Sequence, residues 1–158
     1  MNPITRLTNA NLGMLLFLSS EVMLFGSLFA VLVALRSGNP DFATDAHQLH
    51  YYEGLAATGC LLLSSAALSY NRVFALGLAG IFLALKGHTW YSLLSAGITL
   101  STSNFWGLYF LMTGLHSLHL IVGMAWLSTT VRTRAQPLEL YWHFVDLVWV
   151  ALFLAFYF

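Results

Sequence analysis

The chain has 158 residues, of which 59% are hydrophobic and only 8% are charged, and its mean hydropathy is +0.77. Soluble domains carry about 25% charged residues, so this composition indicates an integral membrane protein. Six basic residues balance six acidic ones, which leaves no basic excess that could hold nucleic acid. The single cysteine, Cys60, excludes an internal disulfide.

Five apolar segments divide the chain, at about residues 12–35, 54–70, 73–94, 105–129 and 138–158. Inside a bilayer every backbone polar group must be hydrogen-bonded, which leaves helices or a closed barrel. The runs are continuous and too long for barrel strands, so they favour helices. The sequence therefore predicts a single all-α domain over residues 1–158, a bundle of five transmembrane helices in which short connections make consecutive helices antiparallel neighbours.

The basic residues between these segments predict an orientation. An excess of arginine marks the cytoplasmic side of a membrane protein. In a five-helix bundle one side holds Arg6, Arg72, Arg132 and Arg134, whereas the other holds Arg36 and, at a helix end, Lys86. The bias predicts that the N-terminus is inside and the C-terminus outside.

The last two segments contain polar residues at depths where lipid tolerates few. Glu139, His143 and Asp146 are spaced i, i+4, i+7, which places them within an arc of roughly 60° on one helix face. His116 and His119 lie on a polar face of the preceding segment. Buried polar groups are costly alone and tolerated when hydrogen-bonded. We therefore expect these five residues to form an interhelical polar network, which serves either as a structural clasp or as a proton or ligand site.

Glu21 is the acid of the first segment, and its same-face neighbours are apolar: Met14, Phe17, Leu18, Phe25 and Leu28. Its partner must come from another helix, a lipid headgroup, water or another subunit. Burial disfavours a carboxylate, so we expect a carboxyl group that is at least partly protonated. An intramembrane acid is a candidate for a proton- or lipid-related role, with a plain interhelical hydrogen bond as the alternative.

Three interpretations of the sequence as a metal site have less support than the interhelical polar network. A di-iron bundle needs Glu-x-x-His on two helices, whereas this chain offers His116-x-x-His119 and a Glu139–His143 pair at i, i+4. Bis-histidine haem ligation, by His116 or His119 with His143, stays open and would make the chain an independent haem-binding membrane cytochrome. Nothing fixes the geometry of a loop cluster that comprises Asp41, Asp45, His47, His50 and Glu53, so a solvated loop is the simpler interpretation.

Four segments, in order along nearly the whole chain, resemble subunit III of the haem-copper respiratory oxidases. They are residues 13–23, which include Glu21, and residues 85–90, 109–119 and 141–149. Long members of that family have seven helices, and this chain begins where their third helix would. It therefore resembles the five-helix short form found in some bacterial oxidases.

The resemblance implies an accessory subunit of the bacterial inner membrane that carries no catalytic residue, metal or cofactor of its own. Its implied partners are the catalytic subunit I, which holds haem and copper, and subunit II of a cytochrome c or quinol oxidase. Its implied roles are to stabilise the catalytic subunit and to support proton uptake in a complex that reduces oxygen and translocates protons.

The resemblance also implies a role for one residue and a bound ligand. Glu21 matches the family's carbodiimide-sensitive glutamate. The family binds phospholipid in a cleft, and the two helices missing here form one arm of it, so bound phospholipid requires a partner that completes the groove. An accessory protein of nitric oxide reductase, which resembles the same family, is the nearest alternative.

Overall fold

The computed structural model describes residues 3–38, 41–129 and 136–157, and within these ranges the chain is all-helical. Six helices follow one another: α1 (Pro3–Gly38), α2 (Asp41–Ala46), α3 (Tyr51–Leu68), α4 (Arg72–Ser95), α5 (Asn104–Thr129) and α6 (Gln136–Tyr157). The prediction of an all-α protein is confirmed. The short helix α2 was not predicted, because its six residues lie in a polar loop without apolar periodicity.

Four of the described helices are long and apolar enough to cross a membrane, over Leu12–Gly38, Arg72–Ser95, Asn104–Thr129 and Pro137–Tyr157. Helix α3 is not among them; it has 18 residues and contains Glu53 near its start. The count of five spans and the orientation therefore stay predictions. Arg132 and Arg134, on which the orientation partly depends, lie outside the described residues.

Local signals fix the two ends of α4. The Oδ1 atom of Asn71 accepts hydrogen bonds from the backbone N–H groups of Val73 and Phe74, at 3.0 and 3.2 Å, which caps the helix start. At the other end Gly97 has φ of +81°, and the N–H of Ile98 donates to the Leu93 carbonyl. A left-handed glycine of this kind commonly terminates a helix. Both ends of α4 are therefore defined by local hydrogen bonds, at Asn71 and around Gly97.

Helix α6 packs against α1, α3 and α5, and α4 packs against both α3 and α5. The adjacency of α5 and α6 agrees with their short connection. Large aromatic side chains fill the interior, among them the fully buried Trp106, Tyr109, Trp142 and Trp149. This arrangement places the polar residues of α5 and α6 in contact with three other helices.

The small residues of α3 bring it close to α6. A Cβ atom at Gly54 would lie 2.7 Å from the Cζ atom of Tyr157, so only glycine fits there without a shift of the neighbouring ring. One turn further on, the indole N–H of Trp149 donates to the Thr58 hydroxyl at 3.0 Å. Helix α3 thus approaches α6 through side chains that are short or that hydrogen-bond to it.

The segment that contains α2 lies at the same end of the bundle as the α4–α5 turn. The Ser103 hydroxyl donates to Oδ2 of Asp45 at 2.7 Å. The rings of Phe42 and Phe105 meet edge to face, with centroids 5.0 Å apart. Because Tyr70 and Asn71 form the opposite end of the α3–α4 hairpin, α3 runs from one end of the bundle to the other.

Candidate functional site

Glu21 of α1 finds its partner on α5. Its Oε2 atom lies 2.8 Å from Nε2 of His119, and both side chains are about six-sevenths buried, with exposures of 14% and 15%. The contact is one of distance, because that oxygen has no hydrogen bond of standard geometry with any described residue. The sequence left four kinds of partner open for Glu21: another helix, a lipid headgroup, water or another subunit. In the structure the partner is a residue of another helix, α5.

The second ring nitrogen of His119 fixes how many protons the pair holds. Nδ1 lies 2.7 Å from the Leu115 carbonyl oxygen. Because a carbonyl oxygen only accepts hydrogen bonds, Nδ1 carries a hydrogen and donates it. The contact between Nε2 and Oε2 is then favourable only when it contains one further proton, held either as a neutral acid beside a neutral imidazole or as an ion pair. A proton at this contact would lie between the two side chains, inside the bundle.

The surroundings of this pair are aromatic and apolar. The Tyr141 hydroxyl donates to the backbone carbonyl of His119 at 2.8 Å, and the Phe25 ring meets the His119 ring at a centroid distance of 5.6 Å. An apolar pocket of about 390 Å³ lies nearby, between α1, α5 and α6; Phe17, Trp126 and Tyr141 are among the residues that line it. Few polar groups are present to compete for the shared proton.

The polar face of α6 makes its described contacts with α3. Nδ1 of His143 lies 3.0 Å from the Ser65 hydroxyl. Asp146, one turn further on, is 5% exposed. Neither Asp146 oxygen has a hydrogen bond of standard geometry with a described residue.

The other two residues of the expected network lie apart from these contacts. Glu139 is exposed and lines a small pocket with Arg72 at the first turn of α6. His116 is buried. Its ring packs against the rings of Phe82 and Trp149, with centroid distances of 5.7 and 5.2 Å. Its Nε2 atom has no hydrogen-bond partner within the described part of the chain.

The structure thus divides the expected network between two helix contacts. His119 faces α1 and His143 faces α3, whereas the sequence suggested that α5 and α6 would satisfy each other. The reason is the packing of α6 against three helices, which offers closer partners than the facing histidines. A network that unites all five residues stays a prediction.

A second polar cluster, around Lys86, was missed. Lys86 was expected at a helix end; that prediction is wrong, because Lys86 lies inside α4 and is 3% exposed. Its Nζ atom lies 4.4 Å from the centroid of the Trp149 ring and 3.4 Å from the Tyr157 hydroxyl. Thr89, one turn further on, donates to Oε2 of Glu53 at 3.0 Å.

One signal could have revealed this cluster. A lysine well inside an apolar run needs a buried partner for the same reason as an intramembrane acid. Glu53 was instead assigned to a solvated loop, although it lies at the start of α3 and is only one-third exposed. Among the described residues no group of three or more histidine, cysteine or carboxylate side chains could hold a metal ion.

The fold and the site define a class: an all-helical integral membrane protein with a buried carboxyl–imidazole pair between two of its spans. No family model matches the chain, but curated relatives do. It is 30% identical to cytochrome c oxidase subunit 3 of Corynebacterium diphtheriae, over 94% of this chain and 87% of that one. It is 31% identical to a probable quinol oxidase subunit 3 of Staphylococcus epidermidis, over 92% and 87% of the two chains.

A third relative, cytochrome c oxidase subunit 3 of Thermostichus vulcanus, is 30% identical over 92% of this chain and 85% of its own. Matches of this length and identity confirm the predicted family. The chain belongs to the subunit III family of the haem-copper oxidases, and it is an accessory subunit of that class of complex. The relatives do not favour a nitric oxide reductase protein or an independent cytochrome.

Proposed function

We propose that this subunit binds beside the catalytic subunit of a terminal oxidase, stabilises it during turnover and supports its proton uptake with an exchangeable proton at Glu21. The observation that carries the proposal is the contact of 2.8 Å between Glu21 and His119. Because His119 already donates from Nδ1 to Leu115, the contact retains one proton within the apolar interior.

The pairing of Glu21 with His119 determines how that proton can move. A carboxyl group beside an imidazole can exchange a proton with it without moving either side chain, because the donor and acceptor atoms are already at hydrogen-bond distance. The apolar walls formed by Phe17, Phe25 and Tyr141 limit access of water. Glu21 is therefore suited to hold a proton close to a partner rather than to release it freely to solvent.

The relatives and the composition support the setting that we propose. The subunit lies in the inner membrane of a bacterium as a five-helix bundle with its N-terminus inside. Subunit I holds the haem and copper that reduce oxygen, and subunit II accompanies it. The relatives include cytochrome c oxidase and quinol oxidase subunits, so either electron donor fits this subunit. A bound phospholipid in the apolar pocket near Glu21 fits the same proposal.

Carbodiimide labelling of the complex tests the proposal for Glu21. A hydrophobic carbodiimide adds a protonated carboxyl group across one of its C=N bonds. We expect the complex purified in mild detergent to contain this chain together with a copper-containing catalytic subunit. In the wild-type complex the chain should be labelled, whereas Glu21→Gln should assemble equally well and remain unlabelled, as judged by mass spectrometry of the intact chain.

The matched control is Glu139→Gln, which removes an acid that is exposed at the start of α6. Labelling in this variant should equal that of the wild type. Equal labelling of wild type and Glu21→Gln would show that Glu21 is not the reactive acid. Absence of a catalytic subunit from the purified complex would contradict the proposed partner.

A further inference from the structure

Lys86 is a buried basic residue to which the proposed function assigns no role. It is the only lysine in the sequence, and it lies in α4 with 3% of its surface exposed. No described carboxyl group lies within ion-pair distance of its Nζ atom. An ammonium ion without a counter-ion is costly to bury, and a neutral amine costs less. The charged form of Lys86 therefore depends on the other groups that surround it.

Aromatic rings surround the Nζ atom of Lys86. It lies 4.4 Å from the centroid of the Trp149 ring, and the rings of Tyr157 and Tyr109 follow at 5.6 and 5.8 Å. At such distances the face of an aromatic ring attracts a cation, although less strongly than a carboxylate does. The rings favour the ammonium form, whereas burial favours the amine, so the two forms are closer in free energy than they are for a lysine in water.

The hydroxyl group of Tyr157 suits both forms of Lys86. Its oxygen lies 3.4 Å from Nζ, in the only hydrogen bond that Nζ makes with a described residue. A hydroxyl group can donate or accept, so this one accepts from an ammonium ion and donates to the lone pair of an amine. A change in the protonation of Lys86 therefore reverses this hydrogen bond without breaking it.

Helix α3 holds the Tyr157 hydroxyl in place. The ring packs against Gly54, where a Cβ atom would lie 2.7 Å from Cζ, the ring atom that bears the hydroxyl. Tyr157 is partly exposed and lies in the last turn of α6. Lys86 and its partner are therefore close to the end of the bundle at which α3 begins.

Several other titratable or charged groups lie on the helices around this site. They are Glu53 of α3, His88 of α4, Tyr109 and His116 of α5, Asp146 of α6 and Arg36 of α1. Glu53 accepts a hydrogen bond from Thr89 at 3.0 Å and lies 4.0 Å from His88. Arg36 donates to the carbonyl of Ala155 at 3.2 Å. Within the described ranges, only Tyr157 hydrogen-bonds to Lys86.

We propose that Lys86 is a second proton-binding site of this subunit, poised between amine and ammonium by the aromatic rings around it and by the Tyr157 hydroxyl. On loading, a proton from the water at this end of the bundle binds to the lone pair of Nζ, and a new N–H bond forms. The Tyr157 hydroxyl turns from donor to acceptor. On release that N–H bond breaks, its electron pair returns to nitrogen and the proton returns to water.

Nitrogen NMR of the full chain in detergent tests the proposal. Because the chain has one lysine, isotope-labelled lysine gives a single Nζ signal, whose chemical shift differs between amine and ammonium. We expect this signal to pass from the ammonium to the amine position between about pH 5 and about pH 9, whereas an ordinary lysine keeps its proton up to about pH 10. A signal that stays in one form over this range, amine or ammonium, would overturn the proposal.

A lysine introduced at Gln48, an exposed position, is the internal reference. In Gln48→Lys the new signal should keep the ammonium position over the whole range, while that of Lys86 changes. Identical behaviour of the two lysines would overturn the proposal. The titration of the unaltered chain needs no substitution at the site, so it does not depend on whether a variant folds.

Tyr157→Phe tests the partner, because it keeps the ring and removes the hydroxyl. A hydrogen bond stabilises a charged group more than a neutral one, so the pH of half-conversion should fall by about one unit. Tyr52→Phe, at a position that is 84% exposed, is the matched control and should leave it unchanged. Equal values in the two variants would overturn the role of Tyr157.

This proposal goes beyond the proposed function and does not involve Glu21. Failure of the nitrogen titration would leave the carbodiimide labelling of Glu21 unaffected, and a negative labelling result would leave the titration of Lys86 unaffected. The two outcomes are therefore distinguishable.

Discussion

At the scale of single residues, the interior of this bundle stabilises polar groups in two different ways. Oε2 of Glu21 and Nε2 of His119 lie 2.8 Å apart, so an acid and an imidazole are buried side by side. Lys86 instead has one long hydrogen bond, to Tyr157, and lies over the Trp149 ring. A cation above an aromatic face is stabilised by about 0.5–2 kcal/mol, which offsets only part of the cost of burying an ammonium group.

The cost of burying Lys86 gives a prediction with a definite sign. Lys86→Met keeps a long side chain beside Trp149 and removes the charge, so thermal unfolding in detergent should occur at the same temperature or higher, since apolar replacement of a buried ion is often neutral or stabilising. Lys86→Ala should lower the free energy of unfolding by about 2–3 kcal/mol, because it leaves a cavity. If Lys86→Met were as unstable as Lys86→Ala, the ammonium group itself would be required for stability.

At the scale of helices, the sequence predicted which segments are helical and which residues are out of place in lipid. It could not predict partners across helices. Periodicity places Glu139, His143 and Asp146 on one face of α6 but does not say which helix that face meets. Lys86 was misplaced because a charge within an apolar run was assigned to a helix end, whereas aromatic side chains from α5 and α6 surround it. Contacts of this kind come from the packing of helices distant in sequence.

The close approach of α3 and α6 depends on Gly54. A Cβ atom there would lie 2.7 Å from Tyr157 and 2.9 Å from Phe153. We expect Gly54→Ala to lower the free energy of unfolding by about 1–3 kcal/mol, the usual cost of overpacking, as measured by thermal or denaturant unfolding in detergent.

Gly59 of the same helix is the matched control for Gly54, because a Cβ atom there would have no neighbour within 4 Å. Gly59→Ala should be neutral or stabilising, since alanine is favoured over glycine in a helix by about 1 kcal/mol. A loss of stability at Gly59 equal to that at Gly54 would mean that the two substitutions act through α3 itself and not through contact with α6.

At the scale of the whole molecule, the number of membrane spans, four or five, depends on whether α3 crosses the membrane. At about 1.5 Å per residue its 18 residues extend for about 27 Å, slightly less than the hydrocarbon core of about 30 Å. Its start lies near Asp45, which hydrogen-bonds to Ser103 of the α4–α5 turn, and its end lies at the opposite turn, beside Asn71. This geometry supports a fifth span, although α3 is not among the described helices that are long and apolar enough to cross a membrane.

Cysteine labelling with a membrane-impermeant maleimide distinguishes five spans from four. Single cysteines replace three exposed residues, Gln48, Tyr70 and Leu100, in a Cys60→Ala background. If α3 spans the membrane, Gln48→Cys and Leu100→Cys should react from the outer side of intact cells and Tyr70→Cys only after the cells are opened. If α3 does not span, Gln48→Cys and Tyr70→Cys should react from the same side. The first pattern also places the N-terminus inside, because one span, α1, separates it from the outer Gln48.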